Sequence, residues 1–222
     1  MPAFMEALAG MDGLAALALQ FCILTAVRSG EVRGARWSEL SFDGEPVWTV
    51  PGERMKAKKA ADLRPHRVPL STACLAVLAR AYGVSTGTTT TPDALSQIAR
   101  LMGSSLIFPS SKRDTPLSDM SLSAAVRRLN ELRPEGEAMP WRDPDGRPVV
   151  PHGFRATFRT WVDDTRPEDA EAGERALAHE DGNKVSGAYR RSDLLDRRAP
   201  LMAAWADWCS GDRTGARKAR VL

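Results

Sequence analysis

Between residues 151 and 189 the sequence places two imidazoles, His152 and His179, a guanidinium, Arg155, and a phenol, Tyr189. Together they are suited to phosphate chemistry. Breaking a phosphodiester without a metal requires a nucleophile, cations that spread over the nonbridging oxygens, and an acid for the departing alkoxide. A phenol serves as a nucleophile that can leave again, so the phosphate ester stays exchangeable. Guanidinium groups present forked donors that match phosphate oxygens, and a lysine can protonate a leaving oxygen. The remaining parts stand elsewhere in the chain: Arg28, and a basic loop holding Arg54, Lys56, Lys58 and Lys59. Each has a plainer reading as well. Arg28 alone could be a structural ion pair with Glu31, three residues on, and lysine-rich loop tips are ordinarily just solvated.

The elements that position these groups follow from hydrophobic periodicity. Residues 12–28 read as an amphipathic helix with Leu14, Leu17, Phe21 and Leu24 on one side. Ser29-Gly30 marks a break, and a short second helix carries Val32 to Trp37. Residues 40–42 and 47–50 flank the turn Asp43-Gly44-Glu45-Pro46 as a hairpin, and residues 64–70 supply a third strand that Pro65 and Pro69 keep short or at an edge. His66 on this strand is a surface or strand-packing histidine. Ser71 caps a helix that ends at Gly83, and residues 85–91 form a polar loop. Further helices are expected over 92–102 and 118–132, with Leu122, Val126 and Leu129 inward, and a long loop over 133–149. Residues 152–163 form a helix with Phe154, Phe158 and Trp161 on its core side and His152, Arg155 and Arg159 on a separate cationic side. An acidic helix leads to His179. A last helix over 193–209 turns Leu195, Met202, Trp205 and Cys209 one way. The class is therefore α+β, mainly helical, with a small three-stranded antiparallel sheet at residues 40–70.

Composition narrows the setting. With 222 residues, 43% hydrophobic and 27% charged, the chain suits one globular domain, with 1–11 and 210–222 as flexible ends. The net charge of +3, from 31 basic and 28 acidic residues, does not by itself announce nucleic-acid binding, although the arginines cluster. Cys22, Cys74 and Cys209 are far apart and lack metal-ligand spacing, so they read as reduced, buried thiols of a cytoplasmic protein. No leader or bilayer-spanning run stands out, and neither a carboxylate cluster nor a Gly-rich loop calls for a metal or nucleotide cofactor.

Five blocks carry a family resemblance: Thr25-Ala-Val-Arg-Ser-Gly-Glu-Val-Arg-Gly-Ala-Arg-Trp37, Arg54-Met-Lys56, His66-Arg-Val-Pro-Leu-Ser71, His152-Gly-Phe-Arg-Ala-Thr-Phe-Arg-Thr-Trp161, and Leu177-Ala-His179 followed by Ala188-Tyr-Arg-Arg-Ser192. In this order and spacing the chain resembles the catalytic domain of tyrosine recombinases, and within them the prophage and genomic-island integrases, over residues 12–209. The resemblance implies the DNA breaking-rejoining fold and cleavage through a 3′-phosphotyrosyl link without ATP or metal. It makes Arg28 and Arg155 the phosphate clamps, Glu31 the acid supporting Arg28, and Lys56 the general acid, with Lys58 and Lys59 as alternatives in a loop longer than usual. His152 would assist proton transfer from the tyrosine, His179 would donate to a nonbridging oxygen, and Tyr189 would be the nucleophile. Arg54, Lys58, Lys59, Arg159 and Arg190 are expected on DNA.

The implied partners are double-stranded attachment sites, further copies of the chain assembled on DNA with the 193–209 helix acting in trans, and accessory DNA-bending or directionality factors, in a bacterial, nucleoid-associated setting. The family's N-terminal DNA-binding domains are absent from this expectation. A nicking-resealing topoisomerase and a catalytically inactive DNA-binding remnant are the competing readings.

Overall fold

The computed structural model describes residues 1–55, 64–112, 114–132, 140–143, 145–179 and 193–212. The chain opens with α1 (Pro2–Ala9), whose proline sits in the first helical turn, where a missing N–H costs nothing. Its Phe4 and Leu8, one turn apart, are buried, and Phe4 meets the rings of Trp141 and Phe154 at 5.1 and 4.8 Å. The expectation that residues 1–11 are a flexible end is thus corrected: an apolar pair at i and i+4 found a surface to cover.

At the centre lies α2 (Leu14–Thr25). Residues 16–25 are all buried, so the expected amphipathic helix has no polar face. It is surrounded by α1, by the short α3 (Ser29–Arg33) and by three later helices, and a helix enclosed on every side is apolar all round. Its polar members are satisfied internally. Gln20 Nε2 donates to the Leu8 carbonyl at the end of α1, and Thr25 Oγ1 donates to the Phe21 carbonyl. The break also falls earlier than expected. It lies at Ala26, in the left-handed region with φ 54°, while Ser29 and Gly30 belong to α3.

The sheet runs in the order β1 (Leu40–Ser41), β2 (Val47–Val50), β3 (His66–Pro69), antiparallel throughout, with Trp48 opposite both Leu40 and Val68. The hairpin and the edge position of the proline-bearing strand agree with the sequence reading. Trp48 is fully buried and its indole N–H donates to Glu39. His66 is buried at the strand start and bonds the Ala176 carbonyl, which makes it a packing residue.

Ser71 caps α4 (Thr72–Thr86), accepting from the Cys74 N–H. This helix passes through Gly83 and stops at Gly87, whose φ of 74° suits a residue without Cβ. The expected end at Gly83 and the loop from 85 are therefore corrected. After α5 (Leu95–Met102), Ile107 and Phe108 are fully buried between isolated bridges at Leu106 and Pro109, and α6 (Ser121–Glu131) buries Leu122, Val126 and Leu129. Then α7 (Gly153–Thr165) and α8 (Ala170–Ala176) stack on one another.

The last helix, α9 (Leu195–Ser210), packs on α1, α2, α8 and β3 of its own chain. Its apolar side, with Met202, Trp205 and Cys209, is buried within the chain. Trp205 lies against Phe158 and Trp161, with centroids at 5.2 and 5.3 Å, and its indole donates to the Ile23 carbonyl at 2.8 Å. The same face holds Arg198, 1% exposed, which donates to the carbonyls of Arg67 and Asp193. These bonds tie the start of α9 to β3.

Candidate active site

Arg28 stands at the N-terminal boundary of α3 in extended conformation. Glu31 serves it twice: one carboxylate oxygen accepts the Arg28 backbone N–H at 3.0 Å, and the other accepts its guanidinium at 3.1 Å. Glu31 is 3% exposed, while the Arg28 side chain keeps 28% of its surface open. Capping and ion pairing are thus one structure, and the outer side of the guanidinium faces away from its partner.

Arg155 enters from the first turn of α7 and is 6% exposed. One terminal nitrogen donates to the Ala26 carbonyl; the other donates to the Leu177 carbonyl at 2.7 Å and faces His179 Nε2 at 3.4 Å. Both backbone acceptors lie at left-handed turns: Ala26 itself has φ 54°, and Leu177 immediately precedes Ala178, with φ 49°. Such a conformation costs an L-residue about 1–2 kcal/mol, and here it occurs where the chain supplies carbonyls to a buried cation. Arg155 therefore joins the end of α2 to the end of α8.

Arg28 and Arg155 lie close enough for their charges to interact. Burial lowers the Arg155 pKa, and the Arg28 charge lowers it further, while Glu31 opposes the shift. Two guanidinium groups sharing one buried carboxylate leave an excess positive charge at the surface, which a phosphate would neutralise with matching geometry.

His152 immediately precedes α7 and is exposed. It sits one turn from Arg155, at the positive end of a thirteen-residue helix. His179 follows α8. Its Nδ1 lies 2.8 Å from Glu174 Oε2, and the other oxygen of Glu174 pairs with Arg159, which also pairs with Asp163.

The expected cationic side of α7 is accordingly corrected. Arg155 lies on the core side, and Arg159 is drawn into a carboxylate pair. Arg54, expected on DNA, points into the fold, where its guanidinium meets Glu39 and the Glu31 carbonyl and presses against Gly34. Lys56, Lys58, Lys59, Tyr189 and Arg190 lie outside the described residues. Glu174 went unnoticed in the sequence because a spacing of five is not a helical contact. It becomes one only because the chain turns back through Ala178.

Among the described residues no cluster of His, Cys, Asp or Glu could hold a metal ion, and no helix is long and apolar enough to cross a membrane.

The sequence signature described as the phage integrase family matches residues 1–194. The chain belongs to the phage integrase family. Among similar proteins, prophage integrase IntA of Escherichia coli K12 is 32% identical over 197 residues, spanning 87% of this chain and 38% of IntA. The integrase of Enterobacteria phage P4 is 28% identical over 225 residues, spanning 96% of this chain and 44% of its own. The chain thus spans less than half the length of these integrases. In fold it is similar to the XerH site-specific recombinase, solved bound to its difH substrate in a pre-cleavage complex. The match has a TM-score of 0.50 at 15% identity and covers 85% of this chain and 49% of the other. The expected mainly helical fold with a small sheet agrees with this match.

Proposed function

We propose that this integrase-family chain is a single catalytic domain, residues 1–222, of a site-specific DNA recombinase that integrates or excises a mobile element. The observation that carries the reading is the meeting of Arg28, Arg155 and His179. They come from three places distant in sequence: Arg28 is paired with the buried Glu31, and Arg155, held by two backbone carbonyls, contacts His179 and feels the charges of Arg28 and Glu31.

In this reading Arg28 and Arg155 clamp the nonbridging oxygens of the scissile phosphate, and His179 stands beside them as a further donor. The Tyr189 oxygen attacks phosphorus as its proton passes toward His152. The bond from phosphorus to the 5′ oxygen breaks, and Lys56, with Lys58 or Lys59 as the alternatives, protonates that oxygen. The product is a 3′-phosphotyrosyl link and a free 5′-hydroxyl. Attack by a 5′-hydroxyl of the partner strand reverses the step, so the ester bond is conserved and no ATP is consumed. Double-stranded attachment sites are the substrate. Copies of the chain assemble on them with accessory bending or directionality proteins, in the bacterial cytoplasm on the nucleoid. Arg190 and the lysines of the basic loop contribute backbone contacts, which gives binding a strong inverse dependence on salt.

A duplex carrying a nick beside the scissile phosphate traps the covalent intermediate, because the short 5′ fragment diffuses away. The wild-type chain forms a protein–DNA adduct on this substrate. Tyr189→Phe forms none, and Arg155→Ala, checked for retained helical content, forms none. Absence of an adduct with wild type, or an undiminished adduct with Tyr189→Phe, refutes the proposal.

A further inference from the structure

His179 is held from two sides by groups of opposite hydrogen-bonding character. Glu174, from α8, places a carboxylate oxygen 2.8 Å from Nδ1, and an ionised carboxylate only accepts. Arg155, from α7, places a terminal nitrogen 3.4 Å from Nε2, and a guanidinium only donates. Each neighbour independently requires the same form of the ring, with hydrogen on Nδ1 and a lone pair on Nε2. From these contacts we infer that Glu174 is a positioning residue that sets the tautomer and orientation of His179 and so determines which ring nitrogen faces the phosphate clamp.

Glu174 is itself fixed. Its second oxygen pairs with Arg159, which is anchored in turn on Asp163. The His179 N–H bonds the Glu174 carbonyl at 3.1 Å, so backbone and side chain close the same loop. Both carboxylate oxygens therefore accept hydrogen bonds, one from Arg159 and one from His179. A glutamine of the same shape has one accepting oxygen and cannot serve both. If its amide nitrogen turns to Arg159, donor meets donor. If it turns to His179, the ring must place its hydrogen on Nε2, against Arg155.

This assignment rests on the recombinase reading for its catalytic consequence only. To donate from Nε2 to a nonbridging oxygen, the ring takes a second proton from solvent, and Glu174 is then the carboxylate facing the imidazolium on the side away from Arg155.

The ring state is measured directly by two-bond proton–nitrogen correlation at mildly alkaline pH. The sequence holds three histidines, and the His179 signals are those lost in His179→Gln. The wild type shows hydrogen on Nδ1. Glu174→Gln shifts the ring toward the Nε2 form and slows adduct formation on the nicked duplex by about 10- to 100-fold, less than full loss of an oxyanion donor. Adding Arg159→Leu to Glu174→Gln frees the amide oxygen for His179 and restores the Nδ1 form and most of the rate. A glutamate that merely stabilised the fold would make the double variant worse than the single one. Hydrogen on Nε2 in the wild type, an unchanged ring in Glu174→Gln, or a folded double variant without restoration overturns the inference. A wild type with the assigned ring but no adduct overturns the recombinase reading instead, and leaves the positioning of His179 standing.

Discussion

Glu31→Gln tests whether the arginine pair is an anion site under electrostatic tension. The glutamate is 3% exposed and accepts both the backbone N–H and the guanidinium of Arg28, while Arg155 lies within reach of its charge. The amide keeps the shape but can accept only one of the two bonds to Arg28, and it leaves both arginines without their countercharge. Breaking a buried pair costs about 3–5 kcal/mol. Arg28 keeps 28% of its side chain in water, which reduces this to roughly 2–3 kcal/mol. At about 2–4 °C per kcal/mol for a chain of this size, the expected fall in Tm is roughly 4–12 °C. Thermal unfolding in a low-salt buffer measures it. Sulfate supplies the second half of the test, because it can occupy the place of a phosphate between the arginines. It should raise the Tm of Glu31→Gln by more than that of the wild type, and the difference removes its general stabilising effect. A loss below about 0.5 kcal/mol, the ordinary scatter of surface changes, or equal sulfate increments in both proteins, refutes the reasoning.

Stability should fall in acid through His66. Burial, reinforced by the Arg198 charge, lowers its pKa from 6.5 to about 3, so the folded state holds the ring neutral while the unfolded state takes a proton. The contribution is complete above 6.5 and declines as pH falls toward 3, by up to about 1.4 kcal/mol per pH unit. Urea midpoints across that range should show a shallower decline in His66→Gln, and parallel curves would contradict the assignment. The thiols give a second check. Burial pushes Cys22 up to about 12 and Cys74 up to about 11, and pushes Cys209 up as well. All three should resist a thiol reagent near pH 8 in native protein and react in denaturant, where rapid labelling of the native chain would show that the core opens readily.

What the sequence disclosed and withheld follows from where polarity changes. Helices with one wet side showed themselves through Leu122, Val126 and Leu129, or Phe154, Phe158 and Trp161, and the hairpin showed itself through its turn. The central helix, α2, has no wet side, so its extent of burial depended on neighbours that spacing does not reveal. Charge misled in α7, and α9 holds a comparable case. Arg155 is one turn from Phe158 and two from Val162, and Arg198 lies in register with Leu201, Met202 and Trp205. Both therefore sit on buried faces, and the periodicity contained this although a charged residue is ordinarily found in solvent. The family blocks named the candidate side chains, of which Arg28, His152, Arg155 and His179 fall within the described residues. The acceptors that hold Arg155 are backbone carbonyls, and Glu174 reaches His179 only because of a backbone turn, so side-chain identity carried no sign of either.

The left-handed turns at Ala26 and Ala178 have a consequence for how such a site can be lost. Two of the groups that hold the buried guanidinium in place are peptide oxygens, one on Ala26 and one on Leu177 just before Ala178, and both alanines have positive φ. A β-branched replacement at either position resists that conformation, while glycine accepts it. Arg28, Arg155 and His179 could then remain intact in a copy in which Arg155 is no longer held in place. Inactivation by drift can thus begin at an inconspicuous alanine, and an inventory of catalytic side chains would pass such a copy as functional.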